Sequence, residues 1–376
     1  MKPTVKIYAK DLESSAQAQV EQLAEIPGVS KSGIRIMPDG HAGSGCVVGT
    51  VLEIGDKVIP GVVGVDGSCG MTMAIFEWDT RDFDTRAFYD WINRYVPSGF
   101  SIHKRQLDPR AVALNSKITQ GLRCFTALTH KKEAGNKFLN ALGTLGGGNH
   151  FIEISVFKNG SVGLTVHSGS RNLGLRMAQH YQDLANTICQ ADVPKDLKWL
   201  EGSDLDDYLH DSAIINEYAA LNRQLMIEAM LPYFGVSIEE VRMETCVHNY
   251  IEPTGHRQGV LRKGAISAKS GEFVIIPLNM RDGIIIGRGK GNPDWLSSGP
   301  HGAGRIMSRT KAKKTLVLED FEATMKEAGV RSLSINEATL DEAPFAYKPA
   351  QEIIDAIRDT VEIEEVIRPF FNFKSN

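Results

Sequence analysis

Five of the ten histidines lie in short stretches rich in small and polar residues: MPDGHAGSG (37–45), GTLGGGNHFIE (143–153), TVHSGSRNLG (165–174), CVHNY (246–250) and SSGPHGAGR (297–305). A sixth stretch, GVDGSCGM (64–71), holds Asp66 and Cys69. Glycine beside a polar side chain lets the backbone turn sharply or approach a ligand closely. Histidine, cysteine and aspartate together are transition-metal ligands. The six stretches are expected to be loops that converge on one metal site.

Asp66 and Cys69 stand three apart after the apolar run VIPGVVGV. A carboxylate and a thiolate so close can each hold a divalent ion and share the sulfur. Mixed O, N and S donors disfavour calcium and magnesium and leave manganese, zinc, iron or cobalt. An isolated D-x-x-C is more often a turn and a buried thiol. His150, His167 and His248 shift that balance, because each sits where an apolar run meets a loop. His41 is a weaker candidate for a supporting role, and His256 reads as a surface residue. His103, His130, His180 and His210 receive no role.

His301 is bracketed by Gly299, Pro300 and Gly302, with Arg305 and Arg309 following at i+4 and i+8. If the segment is helical, both arginines share its face. A histidine beside two phosphate-seeking guanidinium groups suits nucleophilic catalysis on phosphorus through a phosphoramidate. The plainer alternative is a helix start with solvated arginines. Arg171, Arg176, Arg262 and Lys263 extend a potential basic patch. GTLGGGN lacks the Walker and dinucleotide-fold spacings, but its amides could form an anion nest.

The elements that must position these residues read as an α+β fold. Strand-like runs occur at 46–54, 151–157, 162–166, 272–276, 283–287 and 314–318, and helical periodicity at 84–95, 175–190, 211–232, 319–328 and 349–359. Strands and helices do not alternate regularly, which argues against a doubly wound or barrel architecture. The acidic stretch Gly202–Asp207 reads as a surface loop. Candidate ligands lie on both sides of it, so 1–376 is expected to form one domain with helical insertions near 84–135 and 175–232. The net charge of −4 gives no general attraction to nucleic acid, so RNA or DNA would need a local basic patch. Five cysteines without a C-x-x-C fit a reducing, cytoplasmic setting, and no apolar run is long enough to span a bilayer.

Eight segments in order, MPDGHAGSG, GVDGSCGM, GGGNHFIE, VHSGSR, VHNY, RKGA, HGAGR and DEAPFAYK, resemble the RtcB family of RNA ligases from about residue 33 onward. The resemblance implies an RtcB-like fold of mixed β-sheets packed together and flanked by helices. It implies two manganese ions on Asp66, Cys69, His150, His167 and His248, with Cys69 bridging. His301 is similar to the family's guanylylated histidine. The GTP contacts it implies are Asn149, His150, Phe151, Ile152 and Glu153, His248 and Asn249, Pro277, Leu278, Asn279, Met280 and Ile284, His301, Gly302, Ala303 and Gly304, and Lys374 of IRPFFNFK. Arg171, Arg305 and Arg309 are candidates for holding RNA phosphates.

The implied reaction joins an RNA 3′-phosphate or 2′,3′-cyclic phosphate to a 5′-hydroxyl through a histidine–GMP intermediate. The implied partners are GTP and RNA with broken ends, such as tRNA halves or nicked rRNA, with an accessory activator protein allowed and no membrane. Departures from the family pattern are Gly67-Ser68 in the metal loop, Leu278-Asn279, and Ile284 where the family carries a serine. These bear on nucleotide preference more than on metals. A metal-dependent phosphoesterase without need of His301, or a non-catalytic RNA binder, remain the competing readings.

Overall fold

A computed structural model describes residues 3–129 and 134–375. His130 and the 130–133 part of the expected helical segment lie outside the described residues. Two large sheets carry the architecture. The seven-stranded sheet runs in the order Phe273–Asn279, Gly283–Gly289, Val361–Phe373, Phe151–Val156, Val162–Ser168, Gly70–Phe76 and Arg242–Val247, with every neighbouring pair antiparallel. The five-stranded sheet orders Val5–Ile7, Ile34–His41, Val48–Ile54, Gln258–Lys263 and Asn249–Gly255, and its first pair is parallel. This is the expected α+β class. Among the described residues no helix is long and apolar enough to cross a membrane.

Alternation along the strands decides which face holds the core and which holds polar groups. In Phe151–Val156, Ile152 and Ile154 join a cluster with Phe88, Ile92, Met226, Met230 and Phe371, drawn from the helices Thr85–Tyr95 and Gly202–Phe234 and from the last strand. Phe151 and Glu153 point the other way, toward a cavity. Antiparallel pairing then sets strand starts beside strand ends. Gly70 pairs with both Ser168 and Val247, and Phe151 pairs with His167. One edge of the sheet therefore collects Cys69, His150, His167 and His248.

Three expectations fail here. Not all six candidate stretches are loops: His41 and His167 lie at the ends of the strands Ile34–His41 and Val162–Ser168, and His248 stands between the strands Arg242–Val247 and Asn249–Gly255. Gly202–Asp207 is no loop but the first turns of the 33-residue helix Gly202–Phe234. Its acidic residues suit that position, because carboxylates are stabilised by the positive end of the helix dipole. The run at 314–318 is not a strand: it joins the helices Arg309–Thr315 and Leu318–Glu327. Ser308 caps the first by accepting from the Lys311 amide, and Leu316 and Leu318 pack against the cluster of Met280, Phe321 and Met325. A short apolar run has no period long enough to separate these outcomes.

Candidate active site and metal centre

The sheet edge brings donor atoms together in two triads that share one sulfur. Asp66, Cys69 and His150 form the first, and Cys69, His167 and His248 the second, with all donors of each within 4.8 Å of one another. Cys69 Sγ lies 3.5 Å from His150 Nε2 and 3.2 Å from His167 Nε2, which is itself 3.2 Å from His248 Nε2. His150 Nε2 is 3.6 Å from the Asp66 carboxylate. The residues singled out as ligands thus meet in one place.

The donor set fits divalent transition ions. Burial and then the neighbouring His150 push His167 well below the usual imidazole range, and burial and then His301 do the same to His248. Both shifts favour the neutral rings that ligation requires. His167 Nδ1 lies 3.2 Å from the Asn149 carbonyl, so the Nδ1–H tautomer leaves Nε2 facing the cluster. Burial, then Asp66, raises the Cys69 thiol well above its ordinary value, and a bound cation reverses that preference. Among the described residues the buried Nδ1 atoms of His150 and His248 have no partner.

The metal loop accommodates its unusual spacer. Ser68 adopts φ 60°, donates its amide to the Asn249 carbonyl at 2.6 Å, and sends its hydroxyl to Asn216. Beneath Cys69 lies Arg223, fully buried, donating to Thr72 Oγ1 and to the Ser68 and Ser168 carbonyls. Burial lowers its guanidinium to about 10, still cationic at neutral pH. Next to it Asn222 accepts from the Gly143 and Thr144 amides and donates to Thr144 and Gly169 carbonyls, pinning the glycine loop to the ligand strands. Neither residue lies in a motif. The available signal was an Asn-Arg pair on a buried stripe that, apart from Asp211, runs through Leu205, Tyr208, Ile215, Tyr218, Ala219, Met226 and Met230.

His301 reaches the cluster from another direction. Pro300 pairs with Ala265, whose amide donates to the His248 carbonyl, so the His301 and His248 ring centres are 4.9 Å apart. Its Nδ1 is 2.7 Å from Asp39 Oδ2, which also accepts from the His301 and Gly302 amides. This contact favours the Nδ1–H tautomer, which leaves the lone pair on Nε2. Asp39 is the partner of His301 to which the sequence did not point. His41, favoured from the same stretch, sets its ring against the Asp39 carbonyl and the cavity. Gly304, at φ 73°, is required because a Cβ there would strike the Asp39 backbone.

A cavity of about 480 Å³ joins these parts. Asp66, Asn149, Phe151, Glu153, His167, His248, Asn249, Pro277, Leu278, Asn279, Met280, His301, Gly302, Ala303, Gly304, Arg305, Arg309 and Lys374 line it. Cys69 and His150 lie behind that surface, whereas Ile152 and Ile284 are packed in the hydrophobic core. At one end Glu342 gathers cations: Lys374 and Arg309 each at 2.7 Å and Arg305 at 3.5 Å. Burial raises the Glu342 carboxyl, but Lys374, then Arg309, outweigh it and hold it at about 2. Burial pushes Glu153 up to about 7 against hydrogen bonds from Ser155 and Asn372.

The basic residues are less uniform than the sequence suggested. The 301–308 segment is not helical; Arg305 bridges to Tyr347 and Arg309 begins the next helix, yet both still face the cavity. Arg171, at φ 56°, lies against Gly146 and donates to Thr144 Oγ1 and the Gly99 carbonyl. Arg262 leaves the patch altogether, being fully buried and paired with Glu252 at 2.9 Å. Arg176 is exposed and bonds the Leu128 carbonyl. Lys263 is buried at the cavity wall, donating to the Ser44 carbonyl. An oriented imidazole beside paired metal triads and a cationic end is equipped for phosphoryl or nucleotidyl transfer.

Comparison with known proteins agrees. Residues 19–375 match the family described as tRNA-splicing ligase RtcB. The chain is 34% identical to the RNA-splicing ligase RtcB of Escherichia coli (strain K12), over 97% of this chain and 95% of that protein. It is 28% identical to the tRNA-splicing ligase RtcB of Nanoarchaeum equitans, over 94% and 91%. It is 26% identical to the RNA-splicing ligase RtcB of Mycobacterium tuberculosis, over 93% and 98%.

Proposed function

The chain belongs to the RtcB family and is an RNA ligase, and we propose that it works through a histidine–GMP adduct on His301. The observation that carries this reading is the Asp39–His301 pair, which leaves Nε2 free beside the two triads in one cavity. His301 Nε2 attacks the α-phosphorus of GTP; the N–P bond forms as the bond to pyrophosphate breaks, and Nδ1–H stays on Asp39. An RNA 3′-phosphate oxygen, supplied directly or after water opens a 2′,3′-cyclic phosphate, then takes the GMP and frees His301. The 5′-hydroxyl oxygen attacks that 3′-phosphorus and gives up its proton to solvent, the bond to GMP breaks, and a phosphodiester remains.

Two manganese ions, held by Asp66, Cys69 and His150 and by Cys69, His167 and His248, would neutralise charge on the phosphoryl oxygens. Arg305, Arg309 and Lys374 supply fixed positive charge at the cavity, and Arg171 stands behind the glycine loop. We take the whole chain as one catalytic unit acting on broken RNA such as tRNA halves or nicked rRNA, with an accessory activator as a further partner. A cytoplasmic setting suits it, because Cys69 must stay reduced. Incubating the protein with α-labelled GTP and manganese tests the reading: label should stay on denatured protein, be lost in acid and survive alkali. Protein that binds metal yet takes no label from GTP or ATP would sink it.

Two further results are expected. Asp39→Asn keeps the shape but loses the charge that favours a positively charged imidazole as the N–P bond forms. The labelling rate should fall about 10²- to 10⁴-fold, by analogy with a triad aspartate, while GTP affinity changes little; an unchanged rate would deny Asp39 its role. Glu153 can accept from guanine N1–H and its 2-amino group, donors that adenine lacks, and only the ionised carboxyl does so. With its carboxyl near 7, GTP affinity should fall by up to about tenfold per pH unit below that value, since each binding event must release one proton. Calorimetric titrations across pH check this. A flat profile, or one shared by Glu153→Gln, would remove Glu153 from the base contact.

A further inference from the structure

Phe100 is the most exposed aromatic among the described residues, at 107% against 38% for Phe345 and 37% for Tyr95. Its loop is nevertheless tied down on both sides. The Gly99 amide donates to the Gly146 carbonyl at 2.9 Å, and the Leu145 amide to Pro97 at 2.9 Å. Arg171 Nη2 donates to the Gly99 carbonyl at 2.8 Å, the His103 amide to Asn140, and the Gln106 amide to Asn140 Oδ1. Thus the backbone is fixed while the ring is held out in water, an arrangement that folding alone does not require.

The place is specific. Gly146, which the loop abuts, is so close to His150 Nδ1 and Arg171 that a Cβ there would collide with both. Phe100 therefore stands one residue from backbone that touches the metal-binding loop. Val65, beside ligand Asp66 and lining the cavity, is 54% exposed. Lys104 and Arg105 are exposed on the same loop, and among the described residues neither has an ion-pair partner. An aromatic face with unpaired cations beside it is the combination that binds unpaired nucleic-acid strands, by base stacking and phosphate contact.

We propose that residues 98–107 form a platform for an unpaired RNA strand beside the glycine loop that carries His150, with Phe100 stacking on a base and Lys104 and Arg105 meeting phosphates. The proposal rests on the RNA-ligase reading and adds a subsite outside the cavity. Either strand of the break could supply the base: the one ending in 3′-phosphate or the one ending in 5′-hydroxyl.

Fluorescence anisotropy with two labelled single strands, one of each end type, tests it on the full chain. Phe100→Ala should weaken one of them roughly tenfold, and Phe100→Tyr should restore binding, as stacking predicts. The strand affected identifies the end that uses the platform. Lys104→Ala with Arg105→Ala should flatten the salt dependence of that strand's affinity, by about 0.7 in slope per lost contact. Labelling with α-labelled GTP in parallel separates the failures. Absent labelling in wild type counts against the histidine–GMP chemistry and leaves the RNA affinities to judge the platform. Equal affinities of wild type and Phe100→Ala for both strands would overturn the proposal and turn the loop toward a protein partner.

Discussion

His301→Ala is expected to lower GTP-dependent labelling and ligation by at least about 10⁴-fold while the protein stays folded, as removal of a nucleophile does elsewhere. The fold should hold because His301 is part-exposed and Asp39 keeps two donors after the ring is gone, the amides of residues 301 and 302. Metal binding should also hold, because both triads are complete without His301. The measurement is label retained on denatured protein, compared with metal content on the same sample. Label persisting on the variant would move the nucleophile elsewhere. Loss of ligation alongside continued opening of a 2′,3′-cyclic phosphate would instead isolate a hydrolytic activity of the metal centre.

Cys69→Ser should be nearly as damaging, by another route. Its sulfur belongs to both triads, whereas His248 belongs to one. A serine hydroxyl remains protonated at neutral pH and is a hard, weak donor, so neither ion keeps three good ligands. We expect metal content to fall from two ions to fewer than one and ligation to drop by at least about 10³-fold. His248→Ala should retain an ion on Asp66, Cys69 and His150. Elemental analysis after dialysis distinguishes the two variants. Melting temperature gives a second readout: manganese at about a thousand times its dissociation constant should add about 4 kcal/mol to wild type and little to Cys69→Ser. Equal metal content in the two variants would contradict a shared sulfur.

Much of the site was legible because short motifs carry their chemistry locally, whether they fall in loops or at strand ends. Asp66, Cys69, His150, His167, His248 and His301 each announce themselves by their neighbours, and the structure brings all six together. What stayed hidden depends on distance or on a face. Asp39 meets His301 across 262 positions, and nothing near Asp39 in sequence distinguishes it from His41, two residues on. Asn222 and Arg223 sit inside a long helix whose buried stripe emerges only when it is packed. Arg262 and Arg305 look alike as basic residues, but strand pairing turns the first into the interior and leaves the second on the cavity wall. The strand Gly70–Phe76, central to the donor edge, reads GMTMAIF and lacks the β-branched run that marks an obvious strand.

The shared edge of antiparallel strands also orders events during folding. Cys69 lies 81 residues from His150 and 98 from His167, and His248 lies 81 beyond His167. Among the five residues of the two triads, only Asp66 and Cys69 are near neighbours in the chain, so folding must bring the rest together. The full set of donors arises only after strands from Gly70–Phe76 to Arg242–Val247 have found their register, and a slip of one residue would turn the inward-facing ligands outward. A metal held by both triads would therefore be captured only once the sheet is correctly paired.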